Sequence, residues 1–284
     1  MAATQTEYSI AGQARSTDAA AATRLGCGFI TFKMEQDRSA LDYALDRPVK
    51  PAALMLSFGD PTPFARDIVD RGIPLICQIQ SMAQLPQAVD AGASVIVAQG
   101  VEAGGHGYSA YEGRSTFTFV PEIADWLTSH APEVMLLAAG GVADGRGLAA
   151  AMMLGADGAL LGSRLWATRE SQASGMAIEQ AVKASGDDTA RSLVFDVLRE
   201  KQWPGEYHAR TLRNAIHRKW EDRLEDLRAA PEAAIADYKA GVAEEDYTRA
   251  HVTVGEGTGL IKANASAQDV IETITQQARR LLRS

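Results

Sequence analysis

The chain is poor in several things at once, and each shortage removes a class of protein. Among 284 residues there are only two cysteines, Cys27 and Cys77, and neither belongs to a CxxC pair. That argues against a disulfide-stapled scaffold and a thiol redox motif, and both are expected to be buried thiols in apolar runs. No stretch approaches the roughly 18 consecutive apolar residues of a transmembrane helix. Lys and Arg are spread along the chain and the net charge is −8, so neither nucleic acid nor an anionic membrane is an expected partner. His, Cys and carboxylates nowhere fall at ligand spacing, so no metal is expected. A P-loop is missing, and "GVADGRG" lacks the GxGxxG spacing of a dinucleotide fingerprint. The start, "MAATQTEYSIAGQARSTDAAAATR", has no apolar signal core and is expected to be a frayed or helical leader of a cytoplasmic protein.

What remains is ordinary globular composition, 46% hydrophobic and 23% charged, with a repeating pattern. Short β-branched runs end in Gly or a polar residue, and Ala-rich helical stretches follow. Runs read as buried parallel strands are "CGFITF" (27–32), "AALMLSF" (52–58), "PLICQIQ" (74–80), "SVIVAQ" (94–99), "VMLLAAG" (134–140) and "GALLGS" (158–163). Helices are expected near 36–46, 62–71, 81–91, 120–130 and 145–154. Ser81 is expected to cap the third of these, and Asp144 lies in the turn leading to the last. This alternation implies right-handed βα crossovers, in either a (β/α)8 barrel or a doubly wound sheet. Beyond residue 170 the sequence reads as amphipathic helices, with Asp187-Asp188 and the basic run near 210–223 as solvated faces. The Gly-rich stretch "VGEGTGLIKANAS" and a final helix over 267–283 close the chain. The expected division is a leader (1–24), a βα domain (25–170), a helical domain (171–250), and a loop and helix (251–284) that return to the first.

Polar residues and glycines gather at the C-terminal ends of the strands, where either architecture builds its ligand site. Gly140-Gly141 and Gly162-Ser163 end two successive strands, a pattern suited to an anion cradle made of backbone N–H groups. Gln78 and Gln99 end neighbouring strands, and a side-chain amide that donates and accepts suits the edge of a flat heterocycle. His106 follows Gly104-Gly105 in a strand-end loop, the glycines leaving room for a flat ligand and the imidazole suited to proton transfer. Glu102 is expected to anchor that loop rather than act as an acid or base.

The segments "AQGVEAGGHGY", "AAGGVADGRG", "LGADGALLGSRLWAT" and "GEGTGLI", in this order, resemble the nitronate monooxygenase family from about residue 25 to 283. The resemblance implies a TIM-type (β/α)8 barrel, bound FMN, a helical second domain, and oxidation of alkyl nitronates by O2 to a carbonyl compound and nitrite. By motif, His106 resembles the active-site histidine, Gln99, Gly104 and Gly105 the flavin contacts of its loop, and Gly140 and Gly141 the first phosphate loop. Leu160, Leu161, Gly162 and Ser163 resemble the second phosphate loop. Gln78 falls where the family bears Lys or Gln near the flavin, and Gly28 where many members have Asn. "CGFITF" resembles the third strand of the family, so the first two βα units are expected to be lacking. A homo-oligomer would be one way to cover the strand edges left by that gap. The same loops resemble FMN-dependent enoyl-thioester and NAD(P)H:quinone reductases, and a non-catalytic remnant is the third reading.

Overall fold

The computed structural model describes residues 25–283, so the leader expected over 1–24 lies outside the described residues. In chain order its strands are β1 (Cys27–Ile30), β2 (Leu54–Ser57), β3 (Leu75–Ile79), β4 (Val95–Gln99), β5 (Gly105–Tyr108), β6 (Met135–Ala139), β7 (Gly158–Leu160), β8 (Thr189–Ser192) and β9 (Tyr207–Leu212). The chain forms two compact units. One runs to Ala98 and adds Glu122–Leu137; the other holds Gln99–Pro121 and everything from Ala138 onward.

Unit 1 is α/β with a parallel sheet. β1 pairs with β2, β2 with β3 and β3 with β4, all parallel, with Cys27 beside Leu54, Leu54 beside Leu75 and Ile76 beside Val95. The strand order continues from β4 to β6. β4 reads V-I-V-A without alternation because its residues are buried on both faces, with Ile96, Val97 and Ala98 fully covered. The helix Thr62–Val69 buries Phe64, Ala65 and Ile68, a stripe at helical spacing, and starts with Pro at its first turn. Ser81 does not cap the next helix. That helix spans Gln84–Asp90 behind Ala83, and its end is tied instead by Gln84, whose Oε1 accepts from the Gln80 and Ser81 N–H groups. Cys77 is buried and Cys27 half-buried, and neither is in a disulfide among the described residues.

In unit 2 the strand order passes from the end of β6 to β7. Asp144 caps the helix Gly145–Met153, accepting from the N–H groups of Arg146 and Gly147. Ser266 does the same for Ala267–Leu281 through the Asp269 N–H. The region expected to be helical beyond residue 170 needs correction. β8 and β9 lie within it and join β5 in a three-stranded antiparallel sheet, ordered β5-β9-β8. Four residues of "TARS" are too few to display a period of two, and their partners are distant in sequence. His106, expected in a loop, lies in β5 opposite Ala209. Arg210, expected on a solvated face, is 7% exposed. Among the described residues no helix is long and apolar enough to cross a membrane.

The helices of unit 2 enclose a core of Val194, Phe195, Leu198, Ile216, Leu227, Ala234 and Tyr238. His251 lies against Phe195, and the Tyr238 hydroxyl is hydrogen-bonded to its Nδ1 at 2.8 Å. Burial, with a smaller contribution from Arg199, pushes this imidazole from 6.5 down to about 4. The folded state therefore binds fewer protons than the unfolded chain between those values. Stability present above pH 6.5 should be lost as pH falls towards 4, by on the order of 2–3 kcal/mol. Denaturant midpoints measured across this range should fall steeply for the parent chain and more gently for His251→Asn.

Candidate active site

The site is built on the turn that follows β4. Gly100 begins it, and no other residue fits: a Cβ there would lie 2.0 Å from the Thr116 Oγ1. Glu102 is the anchor. Its carboxylate accepts from the Ser115 hydroxyl at 2.8 Å, the Thr116 hydroxyl at 2.9 Å and the Thr116 N–H at 3.0 Å, tying the turn to the start of the helix Thr116–His130. Two guanidinium groups hold the other side. Arg191 donates to the carbonyls of Val101, Ala103 and Gly105 at 2.7–3.1 Å and to that of His208 at 2.6 Å. Arg210 reaches the Val101 carbonyl and the Thr189 hydroxyl, and pairs with Glu256 at 2.8 Å. Burial, reinforced by the Arg210 charge, lowers Arg191 to about 9.

His106 issues from this turn into β5. Its Nε2 lies 2.8 Å from the Asp196 Oδ1, and the two side chains are 10% and 4% exposed. Trp203 stacks on the ring, with centroids 3.5 Å apart and planes within 8°. Tyr207 meets Trp203 edge-on and Tyr108 stacks on Tyr207, so an aromatic group backs the histidine. Nδ1 has no hydrogen-bond partner among the described residues. Gln99, expected to face a heterocycle, donates through Nε2 to the His106 carbonyl at 2.9 Å and so supports the backbone of β5.

The glycines divide into two kinds. At Gly104 a Cβ would lie 2.5 Å from the backbone of Val254 and Gly255, so its missing side chain admits the late Gly-rich loop. That loop is fastened by the Glu256 N–H on the Glu102 carbonyl and by the Gly255 N–H on the Ser163 hydroxyl. Gly105 has a φ of +76°, a conformation glycine adopts freely. Gly140 and Gly141 end β6 at φ +107° and +74°. Gly140 is packed against Ala103 and Gly100, whereas Gly141 is exposed. Leu160 ends β7, followed by Leu161, and Gly162 stands exposed before the short helix Ser163–Trp166, with nothing within 4 Å of an added Cβ. Gln78 lies in unit 1, on β3, lining a cleft with Gly59, Pro61, Gln84 and Gln87.

Unit 2 thus brings together His106, Gln99, Gly104 and Gly105 around one turn. Asp196, Trp203 and the two arginines are not legible as site residues in the sequence. Asp196 sits in an apolar run, "LVFDVL", and its isolation there was the one signal available.

The family model described as nitronate monooxygenase matches residues 12–277. The nitronate monooxygenase npaC of Metarhizium robertsii is 34% identical over 216 residues, covering 72% of this chain and 58% of that protein. The chain spans a little over half the length of such curated relatives. Among solved structures, FabK from Thermotoga maritima superposes with a TM-score of 0.76 at 28% identity, over 92% of this chain and 77% of that one. Nitroalkane oxidase from Streptomyces ansochromogenes follows the same fold, with a TM-score of 0.68 at 24% identity, over 87% of this chain and 70% of its own.

The two kinds of glycine respond differently to a methyl group. Gly104→Ala must push apart two backbones and should cost about 1–3 kcal/mol in a denaturant titration. Gly162→Ala should leave the unfolding midpoint where it is.

Proposed function

The chain belongs to the nitronate monooxygenase family, and from that premise we propose that it binds FMN and oxidises alkyl nitronates with O2 to a carbonyl compound and nitrite. The observation that carries the reading is His106. Its edge is held by a carboxylate and its face by an indole, and Nδ1 is left for a ligand. In this reading the strands of the six-stranded sheet correspond to strands of a TIM-type barrel.

The residues fit a flavin phosphate. Gly141 and Gly162 are exposed turns where a side chain would occupy the space an anion needs, and backbone N–H groups there can serve as donors. Arg164, beside Ser163, makes no ion pair among the described residues, and burial lowers its pKa, so a neighbouring anion would relieve it. Gly140, Gly141, Leu160, Leu161, Gly162 and Ser163 would hold the phosphate end, with Gly105 nearest the ring system. Gln99 and Gly104 act through the turn they shape, and Gln78 keeps only its motif-based assignment.

When bound, the flavin supplies the electron acceptor and the route to O2. His106 does the rest of the work through Nδ1. Protonated, it donates to the nitronate oxygens and orients the anion. Unprotonated, it accepts the α-proton of a neutral nitroalkane. Trp203, stacked on one face, limits approach to the imidazole and excludes water from that side.

His106→Asn should retain the flavin absorption band and lose nitrite formation by on the order of 10²-fold or more. Unchanged turnover would remove the histidine from the reaction. The reductase reading uses the same loops and is separated by one addition. NAD(P)H should leave the flavin oxidised if nitronate oxidation is the activity, and bleach it within seconds if an enoyl-thioester or quinone reductase is at hand.

A further inference from the structure

Asp196 lies 90 residues from His106 in sequence, on the short helix Val194–Leu198, whose Val194, Phe195 and Leu198 enter the apolar core of unit 2. A carboxylate 3% exposed in such company is costly unless a partner offsets its desolvation. Among the described residues its side chain contacts His106 Nε2 through Oδ1, and its buried Oδ2 has no hydrogen-bond partner. A core position chosen for packing would hold Leu or Met, and one chosen for a strong ion pair would satisfy both oxygens. This carboxylate instead spends its burial on one nitrogen of one ring.

We propose that Asp196 is the positioning residue of the site: it keeps the His106 proton on Nε2 in every state and leaves Nδ1 as the nitrogen that meets substrate. An ionised carboxylate only accepts, so the ring nitrogen facing it carries hydrogen. The imidazole is thereby held in one tautomer, with Nδ1 the nitrogen that takes up or gives the proton. Trp203 keeps the ring from tilting away, since its plane lies parallel at 3.5 Å. His208, which contacts the Gly205 carbonyl, feels the charges of Asp196, Arg191 and Glu112, and Arg191 is engaged with backbone carbonyls. Neither hydrogen-bonds the Asp196 carboxylate.

The inference rests on His106 being the working residue of the proposed reaction, and its test separates the two claims. Nitrogen-15 NMR of the imidazoles in the full chain reports the tautomer without any turnover. The parent chain should show the His106 proton on Nε2; a proton resident on Nδ1 at neutral pH would overturn the proposal outright. Asp196→Asn, nearly isosteric, should mix the two tautomers and lower kcat for nitronate by about 10²–10⁴-fold while the flavin band persists. Asp196→Glu should recover part of that loss, which a packing defect would not. Asp196→Asn with parental tautomer and parental kcat, alongside an inactive His106→Asn, would overturn the role of Asp196 alone. Turnover surviving in His106→Asn would overturn the reading of the site beneath it.

Discussion

The buried guanidinium groups of Arg191 and Arg210 are the constraint on which the site of unit 2 depends. A turn that enters protein interior with its carbonyls unpaired would cost several hydrogen bonds' worth of desolvation. Here the carbonyls of Val101, Ala103 and Gly105 are gathered by Arg191, with Arg210 sharing Val101. Only a planar fork with five donors can serve several acceptors at once, and a lysine in either place would leave carbonyls orphaned. Glu102 secures the opposite end, and Glu256 offsets part of the accumulated positive charge. Gly107 follows from the same arrangement, because a Cβ there would lie 2.8 Å from an Arg191 nitrogen.

Once the turn is fixed, the residue that follows it has little freedom left. His106 leaves it in an antiparallel strand whose backbone is paired to β9, and Gln99 holds its carbonyl. The ring is then bounded by Asp196 at one edge and Trp203 on one face. The glycines that precede it serve packing first. Gly104 lets the late loop "VGEGTG" close against Glu102, while Gly141 and Gly162 remain open to solvent. Repeated glycine thus stands in two settings, close approach of backbones at Gly104 and solvent-exposed turns at Gly141 and Gly162.

The alternation of apolar runs and Ala-rich stretches locates all six strands of the larger sheet to within a few residues, because buried strands and amphipathic helices leave strong local patterns. Glu102 was legible as an anchor from its place before the glycine pair. The antiparallel strands β8 and β9 were not, since four to six residues paired across long sequence separation carry little local signal. For the same reason Arg210 reads as a solvent-facing charge and Arg191 carries no signal of its own; nothing nearby in sequence shows that their partners include backbone carbonyls of a distant turn. Gln99 ends β4 as the strand pattern implies, and its amide donates to the His106 carbonyl. Asp196 and Trp203 belong to segments whose patterns are those of ordinary helix and loop, and only the tertiary fold brings them to the histidine.

The central claim is that this chain couples a nitronate held at His106 to a bound flavin. The most direct test is the visible spectrum of the freshly purified chain, recorded anaerobically, before and after an alkyl nitronate is added. The account predicts a flavin band that bleaches on addition, returns when air is admitted, and leaves nitrite in solution. A chain that takes up FMN yet keeps its band unchanged in excess nitronate would contradict it.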